Sequence, residues 1–211
     1  MLKRLLIPFA LALVLTIILQ TLNINEVAIY IIVFITIFAV LYVPMFYISF
    51  FSTNIEAIDR FLAERKKHPQ YGLYYGLAND DRQLVEASME KVLKRYKQPA
   101  AQAMFNVIFA LYNKDTNEAR KYIDNIKQPE YKKYYEAGIA IEEKDYEEAQ
   151  RISTALQKDW MREAVLAEVH KGKGNLKEAK VHARNALVGS KGLQRYMFHK
   201  IYNRDYTNLD S

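Results

Sequence analysis

The sequence contains no cysteine, and its first 51 residues carry almost no charge. The lack of cysteine excludes disulfides, thiolate catalysis and metal sites built on cysteine. Before Ser52 only Lys3, Arg4 and Glu26 are charged, whereas the rest of the chain is rich in lysine, glutamate, aspartate and arginine. Without those three residues, the totals of 30 basic and 24 acidic side chains become 28 and 23. This mixed balance is too weak to indicate a nucleic-acid partner.

Motifs that identify enzymes or metal sites are also missing. The four histidines show no metal-ligand spacing, and neither G-x-S-x-G nor a complete P-loop occurs. The stretch "KGKGN" at 171–175 contains a GK pair without the rest of a phosphate-binding loop. We therefore predict no catalytic residue, no metal and no cofactor, and hence a protein that is not an enzyme. A titratable activity that is lost on mutation of His170 or His182 would contradict this prediction.

Two long uncharged runs precede the charged part of the chain, at about 5–22 and 27–51. As helices they would be roughly 27 and 37 Å long, enough to cross a hydrocarbon core of about 30 Å. Lys3 and Arg4 followed by an apolar run are also typical of a cleaved signal peptide, but "LQTLNINE" lacks the small-residue cleavage pattern. We therefore predict an uncleaved transmembrane hairpin over residues 1–51.

Basic residues predict the orientation of this hairpin. They flank both ends, as Lys3 and Arg4 before the first run and as Arg60, Arg65, Lys66 and Lys67 after the second, and the connector "NINE" has none. Basic residues favour the cytoplasmic side, so both termini and the charged part are predicted to be cytoplasmic in a cell membrane. The runs contain no ionisable residue at mid-membrane depth, which argues against ion transport by the hairpin alone. The residue usage favours a bacterial source.

Residues 52–68 are predicted to form a juxtamembrane helix or linker. Ser52 to Asn54 supply helix-capping residues, and Ile55, Ile58, Phe61 and Leu62 follow with helical spacing. We expect this helix to continue from the second run and to join the membrane part to the remainder.

A thirty-residue repeat organises the remainder. Prolines fall at 69, 99 and 129, and the next step reaches Asp159; both residue types favour helix starts. Twenty residues later come Ala119, Ala149 and Ala179, each preceded by glutamate, and the first unit offers Glu86-Ala87 two residues early. Each unit holds two amphipathic stretches separated by a turn. The pattern predicts about four antiparallel helix pairs stacked as an α-solenoid over 69–211, with a capping helix from about Gly192 to Tyr202.

In these features the sequence resembles the tetratricopeptide family over residues 69 to 190. Ala119, Ala149 and Ala179 match the family's small residue in the second helix, and Ala137 and Ala167 match its small residue in the first. The period is thirty rather than the family's 34, and the usual tryptophan and most of the glycines are missing. The resemblance implies stacked helix pairs with a concave groove that binds protein segments.

Tyrosines supply the candidate groove residues. "YGLYY" and "YKKYY" begin two residues after Pro69 and Pro129, at offsets that point into the groove in the resembling family. Tyrosine suits recognition because it offers a large contact area and a hydroxyl at low entropic cost. The alternative, that these rings pack between helices, stays open. The predicted partner-binding residues are Tyr71, Tyr74, Met104, Ile108, Tyr131 and Tyr134.

Two functions remain open for this all-α architecture. The first is a membrane-anchored scaffold that binds a partner protein at the cytoplasmic face. The second is an accessory subunit of a membrane complex, such as a transporter or secretion assembly, whose hairpin packs on other membrane subunits. Replacing the hairpin by an unrelated anchor discriminates between them.

Overall fold

A computed structural model describes the backbone of residues 2–206 and the side chains from residue 8 onward. The described residues form α-helices and no strand, which confirms the all-α prediction. Contacts divide the chain into two compact units, residues 1–52 and 53–211. The helices are α1 Leu2–Thr21, α2 Glu26–Phe50, α3 Ile55–Arg65, α4 Pro69–Asn79, α5 Arg82–Arg95, α6 Pro99–Tyr112, α7 Thr116–Ile123, α8 Pro129–Glu142, α9 Tyr146–Thr154, α10 Asp159–Gly172, α11 Leu176–Gly189 and α12 Gly192–Asp205.

The first unit is a pair of apolar helices in contact with each other, α1 and α2. Within the described residues one helix, α2, is long and apolar enough to cross a membrane, with 25 residues and a mean hydropathy of 2.6. In α1 the described apolar segment is Pro8–Thr21, which is shorter. Asn25 caps α2 by accepting a hydrogen bond from the Val27 amide at 2.9 Å. Large side chains of α2 are exposed, among them Tyr30 and Phe34 at 71% and 69%.

The chain leaves helical conformation between α2 and α3. The α2 helix ends at Phe50, and α3 begins at Ile55 with its own cap, the Asn54 side chain, which accepts from the Ala57 amide at 2.9 Å. The predicted helix start at Ser52 to Asn54 is therefore confirmed. The expectation that this helix continues from the second apolar run is wrong, because an N-cap residue has non-helical backbone angles and interrupts the helix.

The second unit confirms the predicted helix starts. Pro69, Pro99, Pro129 and Asp159 are the first residues of α4, α6, α8 and α10. Each is followed by a second helix packed against the first, and successive pairs contact each other from α5 to α6, from α7 to α8 and from α9 to α10. Proline suits this position because its missing amide would have had no partner within the helix.

The alanines of the repeat lie where the paired helices approach. Ala119, Ala149 and Ala179 are fully buried, each four residues after the N-cap of its helix, and Ala137 and Ala167 are also fully buried. In the first pair the predicted alignment is wrong: Ala87 is exposed, and the buried residue four after the cap Asp81 is Val85. The larger valine fits because glycine faces it, and a Cβ on Gly76 would lie 2.9 Å from the Val85 Cγ2.

The turns inside the helix pairs share a left-handed residue. Asp80, Lys114, Lys144 and Gly174, each just before an N-cap, have φ of 57°, 57°, 63° and 80°. A side chain in this conformation costs roughly 1–2 kcal/mol, whereas glycine adopts it freely but loses more entropy on folding. Gly174, the second glycine of "KGKGN", is therefore a turn residue, and a Cβ on it would meet no atom within 4 Å.

We expect Lys144→Gly to stabilise the second unit by about 0.5–1 kcal/mol, because it removes this backbone strain. The matched change Gly174→Ala should destabilise by a similar amount, because the strain at positive φ exceeds the entropy that alanine saves and the added Cβ meets no atom within 4 Å. Urea unfolding of the full chain in detergent, followed by the fluorescence of the single tryptophan Trp160, measures both. Equal stability of the two variants would contradict the turn assignment.

The last helix, α12, contacts both ends of the second unit. It packs against α11, its neighbour in the chain, and against α3 and α4 at the start of the unit. Phe198, Tyr202 and Tyr206, spaced four residues apart, belong to the core of α10 and α11. Tyr196, Lys200 and Arg204 form a second stripe that bonds to α3 and α4. Thus α12 packs against the fourth helix pair and also connects that pair to the first pair.

Candidate partner-binding surface

The predicted tyrosines do not share one environment. Tyr71, at the start of α4, packs against α3, with its ring centroid 5.0 Å from that of Phe61 and 5.0 Å from that of His68. The Phe61 side chain is buried. Tyr71 therefore makes its ring contacts with the helix before the repeats.

Tyr74 and the α8 tyrosines form a group, which we call the tyrosine cluster: Tyr74, Tyr131, Tyr134 and Tyr135. All four side chains are partly exposed. Burial raises the pKa of the Tyr74, Tyr134 and Tyr135 hydroxyls, and neighbouring tyrosines add to the effect. The mutual effects also indicate that the Tyr74 hydroxyl lies near those of Tyr131 and Tyr135.

Tyr135 was not among the predicted residues. It packs with Tyr131 against the core of α6 and α7, and its ring centroid lies 5.4 Å from that of Tyr134. Its sequence signal is the third tyrosine of "YKKYY", which lies one residue after the Tyr134 offset used for the prediction.

Lys158, at the start of α10, contacts the tyrosine cluster at Tyr131. Its ammonium nitrogen lies 4.6 Å from the centroid of the Tyr131 ring, within the range of a cation–π interaction. Lys158 is the exposed N-cap residue of α10. Tyr131 is thus held between two helix pairs while part of its surface stays accessible.

The two α6 residues are half-buried. Ile108 packs beside the core that Leu73, Val85 and Phe105 form between the first two pairs. Met197 of α12 packs beside the same core. Met104 is partly exposed four residues before Ile108. Ile108 and Met197 therefore pack on the same core between the first two pairs.

One end of the candidate surface is covered by α12. Tyr134 contacts Trp160, with 5.7 Å between ring centroids, and Trp160 contacts Phe198 at 5.8 Å. Phe198 stacks on Tyr202 at 5.2 Å, and Tyr202 is almost fully buried. The accessible part of the tyrosine cluster is therefore on the side of Tyr74, Tyr131 and Tyr135.

Charged groups lie at the covered end. Lys171 bonds Asp205 of α12 at 2.6 Å and approaches Glu168 at 3.4 Å. Burial raises the pKa of Glu168, with a smaller opposing effect from Lys171. One third of the Glu168 side chain is still exposed. The pKa of Lys171 is raised by Glu168 and Asp205, although burial opposes this.

The two histidines named in the sequence analysis meet between α10 and α11. The rings of His170 and His182 stack with centroids 5.1 Å apart, and His182 Nδ1 lies 2.8 Å from Glu163 Oε2. Asn185 donates to the same oxygen at 2.9 Å. Burial works against ionisation of Glu163, but these two hydrogen bonds leave its pKa lowered. Among the described residues, no group of three or more possible ligands could hold a metal ion.

Comparison with known proteins gives no match to a family model, to a curated protein or to a solved structure.

Proposed function

We propose that the chain is a membrane-anchored scaffold whose tetratricopeptide-like helix pairs bind a segment of a partner protein at the cytoplasmic face. The observation that carries this proposal is the tyrosine cluster, where aromatic side chains on the first helices of two pairs are partly exposed. Three of them, Tyr131, Tyr134 and Tyr135, also pack against apolar cores. Exposed tyrosines in partly desolvated settings are typical of the residues that dominate protein–protein binding energy. The partner would meet Tyr74, Tyr131 and Tyr135 first, since the Tyr134 ring packs against Trp160 and against the core that includes Phe198 and Tyr202.

The membrane part of the proposal rests on α1 and α2. An exposed helix of about 37 Å with apolar side chains on all sides suits a bilayer and would be costly in water. We propose that α1 spans the membrane as well, because α1 and α2 pack together and residues 22–25 allow only a tight connection. Anchoring then raises the local concentration of a weakly bound partner.

A photo-crosslinking amino acid in place of Tyr131 tests the binding surface in cells. We expect it to capture one discrete partner, whereas the same amino acid at Lys144, an exposed turn residue, should not. Adding Tyr74→Ala should weaken binding about 30-fold, as for a hot-spot residue, and Tyr74→Phe should retain capture because the ring remains. Equal capture at both positions, or capture insensitive to Tyr74→Ala, would contradict the proposal.

The accessory-subunit function is favoured by one feature of α2. Phe34, Phe38 and Tyr42 stack along one side of the helix, with centroids 6.4 and 4.4 Å apart, and all three are exposed in the single chain. Such an aromatic row offers a packing surface to another membrane helix. Replacing residues 1–51 by an unrelated two-span anchor should preserve partner capture by a scaffold and abolish the function of a subunit.

A further inference from the structure

A cluster of basic residues forms where the α3–α4 corner meets the end of α5. His68 Nε2 lies 3.1 Å from Arg95 Nη1. A Cβ on Gly72 would overlap both the Lys66 carbonyl oxygen and the Ser88 Oγ. Residues 65–68 therefore run along the face of α5 that carries Ser88 and Arg95. Because residues three and seven positions apart share a helix face, Lys91 lies on this face too.

We call this cluster the basic corner: Arg65, Lys66, Lys67, Lys91 and Arg95. All but Arg65 are exposed, and the Arg65 guanidinium lies 4.3 Å above the Phe61 ring. Nearby acidic groups have basic partners, since Glu64 approaches Arg65 at 3.6 Å and Glu90 pairs with Lys94 at 2.5 Å. Within the part of the chain that the structure describes, Lys66, Lys67 and Lys91 form no ion pair.

Helix dipoles explain only part of this charge. Arg65 and Arg95 lie in the last turns of α3 and α5, where cations stabilise the helix end. Lys67 lies beyond the end of α3, and Lys91 precedes the last turn of α5. These two lysines add charge at the same place without that structural reason.

We propose that the basic corner binds the headgroups of anionic lipids. The inference rests on the membrane anchor of the proposed function. Only residues 51–54 separate α2 from α3, and the basic corner begins at the end of α3, 15 residues along the chain from Phe50. Clusters of lysine and arginine next to a span are attracted to the negative cytoplasmic leaflet, at short range. A lipid surface is favoured over a nucleic acid because this short stretch of chain connects the basic corner to the candidate span.

Amine labelling of the full chain in lipid nanodiscs tests the inference, with quantification at each lysine by mass spectrometry. The nanodiscs contain phosphatidylcholine alone or its mixture with phosphatidylglycerol. We expect phosphatidylglycerol to slow labelling of Lys66, Lys67 and Lys91 about fivefold each, and high salt to remove the effect. The exposed lysines Lys127 and Lys144 serve as controls and should label at the same rate in both lipids.

A variant separates lipid binding from a general charge effect. The chain is floated with phosphatidylglycerol vesicles in the presence of an excess of detergent-solubilised chain as competitor. Under this competition, Lys66→Gln/Lys67→Gln/Lys91→Gln should lower the fraction of chain that floats with the vesicles. The control Lys127→Gln/Lys144→Gln/Lys173→Gln should leave that fraction unchanged. If the chain incorporates into nanodiscs but phosphatidylglycerol does not change the labelling rate of Lys66, Lys67 and Lys91, the inference is overturned and the anchor stands. Protection of the same lysines by an added RNA oligonucleotide but not by phosphatidylglycerol would also overturn it. Failure to incorporate into any bilayer would instead overturn the anchor.

Discussion

Replacing Tyr202 by alanine is expected to lower the free energy of unfolding of the second unit by about 3–5 kcal/mol, the usual cost of removing a buried aromatic ring. Tyr202 is only 2% exposed and packs between Phe198 and Tyr206, in the core of α10 and α11. Because α12 also bonds to α3 and α4, its loosening should weaken the start of the unit as well.

Tyr202→Phe is the matched control for this change. It keeps the ring, and the Tyr202 hydroxyl has no hydrogen-bond partner among the described residues, so we expect a change of less than about 1 kcal/mol. Urea unfolding followed by Trp160 fluorescence gives the stability, and amide hydrogen exchange in α4 reports whether the effect crosses the unit. If Tyr202→Ala unfolds like the parent chain, α12 is not part of the core.

High pH is expected to unfold the second unit, because α12 buries three tyrosines. The pKa of Tyr196 is raised by burial and by its hydrogen bond to Asp59, that of Tyr202 by burial, and that of Tyr206 by burial to about 12. An unfolded tyrosine has a pKa near 10. A group with a raised pKa in the folded state contributes stability that is complete below the unfolded pKa and is lost as pH rises toward the folded one.

Tyr196, Tyr202 and Tyr206 together contribute a loss of about 4 kcal/mol per pH unit above pH 10, since each contributes about 1.4. The pKa values of Tyr74, Tyr134 and Tyr135 are raised as well, so these tyrosines add to the loss. This loss approaches the whole stability of a typical domain within one or two pH units. The double variant Tyr202→Phe/Tyr206→Phe should reduce the slope by about 2.7 kcal/mol per pH unit, because two of the titrating hydroxyls are gone. Urea midpoints measured across alkaline pH test this, and an unchanged slope would show that these hydroxyls are already hydrated.

Local features of the fold could be predicted from the sequence because their signals lie close together in the chain. Pro69, Pro99 and Pro129 mark helix starts by their own geometry, and Ala149 marks close packing by its size. The first pair was misaligned because Val85 stands where the other pairs have alanine, and Gly76 on the facing helix supplies the small residue. That exchange of sizes is visible only when both helices are seen.

The role of α12 could not be predicted, because its partners are distant in the chain. The Tyr196 hydroxyl donates to Asp59 at 2.5 Å and accepts from Asn79 at 2.9 Å, across 137 and 117 residues. Nothing in the sequence near Tyr196 marks these contacts. The same limit applies to Tyr71 and Tyr74, which share a motif but face different neighbours, α3 in one case and the tyrosine cluster in the other.

The central claim, that two spans hold the helix pairs at the cytoplasmic face, is tested most directly by cysteine labelling. The chain has no cysteine, so each introduced cysteine is the only reactive thiol. Glu26→Cys lies at the exposed start of α2, and Lys144→Cys lies in an exposed turn of the second unit. With a membrane-impermeant maleimide, we expect Glu26→Cys to label in intact cells and Lys144→Cys to label only after permeabilisation. Labelling of Lys144→Cys in intact cells, or protection of Glu26→Cys there, would contradict the claim.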